Sequence, residues 1–268
     1  MSATLPSIEL ANEIERSEIE YMTDRMTAIQ SRPDNPEGIE IETFGNAVAL
    51  YSRTMPWATF NTVKGLTDRD IDYIEPILEF YRQRDRKVQF EIIPSLTDHS
   101  VLNRLSELGL YQAGFHCSLV AQPSVLESSR DTIRIEELPE DQFEQYATIH
   151  CRGTGLPDDG IPYVAQNNKV LHGRPGWKFY IAYVNESPAA VSVMYIQSEK
   201  ASLTFAATLP QFRNLGLHQQ LLQRRITDAY HSGCRLVVGQ CAFLSQSHRN
   251  MESAGMKLGY VRTSWTEK

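Results

Sequence analysis

The sequence predicts an α/β protein of the mixed α+β kind, built as two tandem domains, each a mostly antiparallel central sheet flanked by helices. Three observations predict it. The chain has 268 residues, long for one compact core and comfortable for two of roughly 120 to 140. Short strand-like runs alternate with helical runs in an order that the two halves share. Between Thr208 and Leu222 a strand passes through a glycine-bearing turn into an amphipathic helix.

In the first half, residues 1–30 are helix-prone and acidic, with no apolar run that would suit a signal peptide or a membrane span. Residues 46–53 (NAVALYSR) alternate as a strand, and 57–63 are read as a second one. A helix over 68–84 places Ile71, Ile74, Ile77, Leu78 and Tyr81 on one side. Then come a strand over 87–93 (KVQFEII), a helix over 97–108, Gly109-Leu110 as its stop, and a strand over 115–121. The polar stretch 122–130 (QPSVLESSR) is the predicted linker, which sets the domains at 1–125 and 131–268.

The second half runs in the same order. Residues 133–137 (IRIEE) alternate as a strand, and 141–151 form a helix with Phe143, Tyr146, Ala147 and Ile149 or His150 inward. Strands over 178–183 and 189–196 are joined by a hairpin turn at Asn185, Glu186, Ser187 and Pro188, and a second turn at 198–200 leads to a strand over 201–208. Leu217, Leu221, Leu222, Ile226 and Ala229 then recur at helical spacing. Gly233 stops that helix before a buried strand over 235–241. Ser245, Gln246 and Ser247 offer caps to a short helix that ends at Gly255, and 257–265 close the chain as a strand. The turn LSELGL at 105–110 echoes MESAGM at 251–256.

Composition excludes several classes of function. Residues 1–130 hold 12 Lys and Arg against 20 Asp and Glu, and 131–268 hold 14 against 13; the nets of −8 and +1 give the overall −7. No basic cluster interleaved with aromatics suits nucleic acid, and no apolar run suits a membrane. Cys117, Cys151, Cys234 and Cys241 show no close pairing, which fits reduced thiols and a cytoplasmic protein. A metal set from His231, Cys234, Cys241 and His248 has the wrong spacing, so no metal is expected.

The turn itself carries the chemistry. At Arg213, Asn214, Leu215 and Gly216 a glycine allows close backbone approach, and the free N–H groups of the new helix favour a phosphate. The pattern Arg213-x-x-Gly216-x-His218, followed by a strand, a short helix and Gly255-Met256, resembles the acyl-CoA loop and C-terminal half of the GNAT N-acetyltransferase superfamily. The resemblance covers residues 131–266, and it departs from the usual Q/R-x-x-G-x-G/A at His218. That imidazole either crowds the backbone approach or lies along the diphosphate. The first half lacks such a loop, with only Lys64, Gly65 and Leu66 after its strand, and is read as a degenerate partner domain.

The resemblance implies acetyl-CoA as co-substrate and an amine as acceptor. Pantetheine would pair with backbone groups of Ala206, Ala207 and Thr208, and the pyrophosphate would sit over Arg213, Asn214, Leu215, Gly216, Leu217, His218 and Gln219. Asn250 would bond pantetheine or cap its own helix. Many GNAT enzymes place a proton-donating tyrosine four residues before the Gly-Phe turn, where this chain has Met251. Ser245, Ser247, His248 or a water are the substitutes, with Ser247 and His248 as the candidate catalytic residues. Asp158 and Asp159, in a glycine-rich loop over 153–163, and Tyr195 are candidates for binding an amine on a small molecule or a peptide. The oligomeric expectation is a monomer or homodimer. A catalytically silent acyl-CoA-binding regulator, or an interaction protein that has lost its ligand, are the alternatives to an enzyme.

Overall fold

The computed structural model describes residues 6–126 and 132–268. The elements, in chain order, begin with α1 (Ile8–Gln30), β1 (Ile39–Phe44), β2 (Ala47–Ser52), β3 (Thr62–Lys64), α2 (Ile74–Arg82), β4 (Gln89–Ile92), α3 (His99–Glu107) and β5 (Leu110–Ala121). They continue with β6 (Ile133–Glu137), α4 (Phe143–Thr154), α5 (Ile161–Lys169), β7 (Trp177–Val184), β8 (Ser187–Gln197) and β9 (Lys200–Thr208). The last are α6 (Leu217–His231), β10 (Leu236–Ala242), α7 (Gln246–Ser253) and β11 (Lys257–Glu267). The described residues divide into two compact units, the first holding 6–118, 241–243 and 258–268, the second 119–126, 132–240 and 244–257. Residues 127–130 of the expected linker, with 131, lie outside the described residues.

In the first unit the strands run in the order β1-β2-β3-β4-β11. Neighbours are antiparallel except β3 with β4, which pair parallel through Thr62↔Gln89 and Val63↔Phe90. Ser7 caps α1 by accepting the Leu10 N–H at 3.1 Å, and Leu10, Ile14, Met22, Met26 and Ile29 bury one of its faces. On α2, Ile74, Ile77, Leu78 and Tyr81 join Val63, Phe90 and Ile92 in one core. The Tyr81 hydroxyl donates to the carbonyl of Leu50 at 2.6 Å, which satisfies its polar end inside that core. A buried ionic cluster lies beside it. Lys64 meets Glu18 at 3.0 Å and also contacts Glu91, while Arg262 meets Glu91 at 3.2 Å and also contacts Glu18.

The second unit has the strand order β10-β9-β8-β7-β6, antiparallel throughout except β9 with β10. The two hairpins turn through Asn185 and Glu186 (φ 46° and 62°) and through Ser198 and Glu199 (φ 48° and 60°), the doubly left-handed form whose twist matches the strands it joins. Phe143, Tyr146, Ala147 and Ile149 of α4 are buried, as their spacing predicts.

Several sequence expectations are corrected here. The run 57–63 is a strand only from Thr62, because a 3-10 turn at Ala58–Phe60 precedes it. Asn61 holds that turn, accepting from Ser52 N–H at 3.1 Å and donating to the carbonyls of Met55 at 2.7 Å and Trp57 at 3.0 Å. The expected loop over 153–163 is mostly helical, with the end of α4, a 3-10 turn at Asp158–Gly160 and the start of α5. Pro157 and Pro162 have φ fixed near the helical value, so each favours a helix start. The strand β1 was not anticipated, although IEIETF before Gly45 alternates. The closing strand, read as part of the second half, lies from Leu258 onward in the first unit, paired with β4.

Candidate active site

The second unit opens where β9 and β10 part. They pair in parallel from Leu236↔Lys200 to Gly239↔Leu203, and β9 then runs on to Thr208 without further register to β10. The parting coincides with a bulge. The β8–β9 register shifts between Val191 and Val193, and Phe205 sits opposite the shift at φ 47°. A non-glycine residue in the left-handed region bends the strand and turns its edge away from the former neighbour. Ala206, Ala207 and Thr208 thus lie on β9 beyond its last register with β10.

Beyond Thr208 the chain makes a 3-10 turn at Pro210–Phe212, passes Arg213 in extended conformation, and reaches Gly216 at φ 86°. Asn214 is also left-handed at φ 65°, a conformation that Asn tolerates better than most residues. Among the described residues no side chain caps α6, so the first-turn N–H groups remain directed out of the helix end. Leu217 is buried and offers only its backbone, Leu215 is exposed, and Gln219 is half-buried. The exposed Arg213 donates to the carbonyl of Gly153 at 3.0 Å, which brings the end of α4 to this turn. Gly153 itself packs on β9. A Cβ there would stand 3.0 Å from Ala207 Cβ and 3.1 Å from the Thr208 amide nitrogen.

His218 does not lie outward. Its Nδ1 accepts from the Asn250 side chain of α7 at 3.2 Å, and burial, with the Arg225 charge adding to it, pushes its pKa down to about 4. The ring is therefore neutral at pH 7 and its Nε2 carries the proton. Asn250 in turn accepts from Gln246 at 2.9 Å.

Solved structures share this architecture. A GCN5-related N-acetyltransferase from Kribbella flavida matches with a TM-score of 0.68 over 95% of this chain and 95% of its own, at 13% identity. The fold is that of the GCN5-related N-acetyltransferases. Another such protein, from Sphaerobacter thermophilus, matches with a TM-score of 0.59 over 74% of this chain and 66% of its own, at 14% identity. A tandem GNAT protein from the clavulanic acid biosynthesis pathway matches at 0.56 over 71% and 67%, also at 14% identity. No family model matches the chain, and no curated protein matches it in sequence.

The short helix α7 carries Met251, the position at which the sequence resemblance expects a tyrosine. Its Met251 is buried, with the thioether against Gly239 of β10: a Cβ on that glycine would meet Cε at 3.1 Å and Sδ at 3.3 Å. Ser245 is committed as the cap of α7, accepting the His248 N–H at 3.2 Å. His248 is 4% exposed and accepts the Leu244 N–H on Nδ1 at 3.0 Å, with Nε2 3.6 Å from Glu252. It holds the turn that precedes α7. Ser247 is half-buried in the first turn of the same helix.

The acceptor candidates are spread around the unit. Asp158 is exposed and paired with Arg152 at 2.8 Å, and the hydrogen bond from that guanidinium lowers its pKa. Arg152 adjoins Gly153, so the pair lies at the end of α4 that covers β9. Asp159 is exposed in the same 3-10 turn as Asp158. Tyr195 is nearly buried, its ring 4.7 Å from that of Trp177 and its hydroxyl donating to Gln197 at 2.6 Å. Among the described residues no three His, Cys, Asp or Glu are grouped to hold a metal, and no helix is long and apolar enough to cross a membrane.

Sequence reasoning missed Arg225. It is 1% exposed on the apolar face of α6, and it donates to backbone carbonyls on β8 and β9 beside the bulge. The signal was its spacing, four residues after Leu221 and four before Ala229.

Proposed function

We propose that the second unit binds acetyl-CoA and transfers its acetyl group to an amine of a small molecule or peptide, by direct attack in a ternary complex. The observation that carries this is the parting of β9 from β10 at Leu203 and Gly239 beside the uncapped start of α6. An extended arm with amide groups fits the edge at Ala206, Ala207 and Thr208, and a diphosphate fits the N–H groups from Asn214 to Gln219. The GNAT fold supports the same reading.

The amine nitrogen attacks the thioester carbonyl carbon, the oxygen takes the negative charge, and the carbon–sulfur bond then breaks. On this reading a backbone N–H on the bent edge of β9 stabilises that oxygen. The ammonium must lose one proton and the thiolate gain one. Met251 cannot supply it, and Ser245 and His248 each already serve the turn before α7. Ser247 or solvent water takes the role. An alkyl thiol is acidic enough to leave as thiolate with solvent supplying the proton, so a missing tyrosine slows the reaction without forbidding it. Asp158 and Asp159 are the candidate groups to attract the cationic acceptor.

In the first unit Asp70 occupies the corresponding helix start. Its carboxylate accepts the N–H groups of Thr67 at 3.0 Å and Asn46 at 2.9 Å, which leaves a negative charge where a phosphate would need to sit. This unit is a structural partner without an acyl-CoA site.

Titration calorimetry with acetyl-CoA tests the assignment. Heat and thermal stabilisation are expected in the wild type and absent in Gly216→Trp; no response at millimolar ligand overturns it. The buried Met251 favours one second reading, a silent acyl-CoA sensor, for which binding would occur without thiol release across a broad amine panel.

A further inference from the structure

Arg225 lies inside the second unit, and among the described residues its hydrogen-bond partners include no carboxylate. Its Nε donates to the Leu221 carbonyl of its own helix at 3.0 Å, and its Nη1 donates to Val193 at 2.9 Å and to Thr204 at 3.4 Å. Burial brings its pKa down to about 10, so the guanidinium stays charged at neutral pH. A buried charge held only by backbone dipoles is costly unless those dipoles are well aimed. Here they belong to particular places. Val193 and Thr204 face each other at the last register position before the bulge, and Thr204 follows the last residue of β9 that pairs with β10.

We infer that Arg225 is a positioning residue, which fixes the bent edge of β9 at a set distance from the phosphate-facing start of α6. The inference rests on the acyl-CoA reading above. Acyl-CoA joins its diphosphate to its thioester through an arm of fixed covalent length, so both ends fit only if the two protein features are correctly spaced. The helix α6 is the rod between them. Arg225 stands nine residues beyond Gly216, about 13 Å along the axis at 1.5 Å per residue. From there its fork reaches both strands at the bulge. A rigid bond at that point transmits the position of the helix start to Ala206, Ala207 and Thr208. Without it, Phe205 has less reason to keep its left-handed conformation, and the edge can relax toward regular pairing.

The test compares two probes on the full chain by calorimetry. 3′-Phospho-ADP carries only the nucleotide half of the ligand, and acetyl-CoA carries both halves. In Arg225→Met, affinity for 3′-phospho-ADP should stay within about twofold, while affinity for acetyl-CoA falls at least tenfold, a loss of about 1.4 kcal/mol. Arg225→Lys, which keeps the charge but not the fork, should fall between, and it carries the same comparison if the methionine variant does not fold. Equal weakening of both ligands would show a merely structural role and overturn the inference, as would no change in either. If the wild type binds neither probe, the acyl-CoA reading itself fails and this inference with it.

Discussion

The side chain of Asn250 donates to Nδ1 of His218 across 3.2 Å, tying the last helix of the second unit to the first turn of α6. His218 stands where the acyl-CoA loop usually has a small residue. The bond turns its ring toward α7, so its bulk does not need to sit over the loop.

His218 is held neutral, its pKa pushed to about 4 by burial first and by Arg225 second. Acetyl-CoA affinity should therefore show the same pH slope between 6 and 8 in wild type and in His218→Ala. A slope in the wild type that the variant loses would mean that the ring is cationic in the complex.

Arg213 is exposed and spends its guanidinium on one carbonyl, that of Gly153. Its charge is available to a diphosphate. Arg213→Ala should weaken acetyl-CoA about tenfold or more, flatten the salt dependence of binding, and leave the melting temperature nearly unchanged. Calorimetry at two salt concentrations and a thermal melt check this.

Gly153 permits α4 to lie on β9. With a Cβ only 3.0 Å from Ala207 Cβ and 3.1 Å from both the Thr208 amide nitrogen and carbonyl oxygen, Gly153→Val must push the helix end away. Overpacking of this kind costs about 1 to 3 kcal/mol, measurable by urea unfolding, and acetyl-CoA affinity should fall with it. A variant of wild-type stability and affinity would contradict the close packing.

Glu18 anchors the ionic cluster of the first unit. Burial raises its pKa, but the charges of Arg262 and Lys64 together outweigh that and hold it at about 2. A carboxylate depressed on folding stabilises the native state above its unfolded pKa near 4.3, and that contribution is lost as pH falls toward 2. Glu18→Gln should cost about 3 to 5 kcal/mol at pH 7, because it leaves two buried cations with one fewer partner, and should flatten the fall in stability between pH 4.5 and 2. Denaturant titrations at several pH values supply the comparison.

Much of this architecture was legible in the residues. Hydrophobic alternation marked β6 to its ends, and the turn residues Asn185, Glu186 and Ser198 marked both hairpins. The stretch from Thr208 to Leu222 showed its glycine, arginine and helix start. Where reading failed, a side chain or a proline had overruled the local pattern. Asn61 curled an apolar run into a 3-10 turn, and Pro162 began a helix inside a glycine-rich stretch.

The sequence by itself determined the kind and order of the elements, because the periodicity of burial is written along each segment. It also placed a glycine turn at Gly216 before α6. Only the tertiary structure decided which partners those segments take. Periodicity says that a face is buried and not against what, so the pairing of β11 with β4 and the seat of Arg225 at the bulge were beyond it. The orientation of His218 followed the same rule. A ring at the second residue of a helix can turn either way, and the neighbour that settled it, Asn250, lies 32 residues further along the chain.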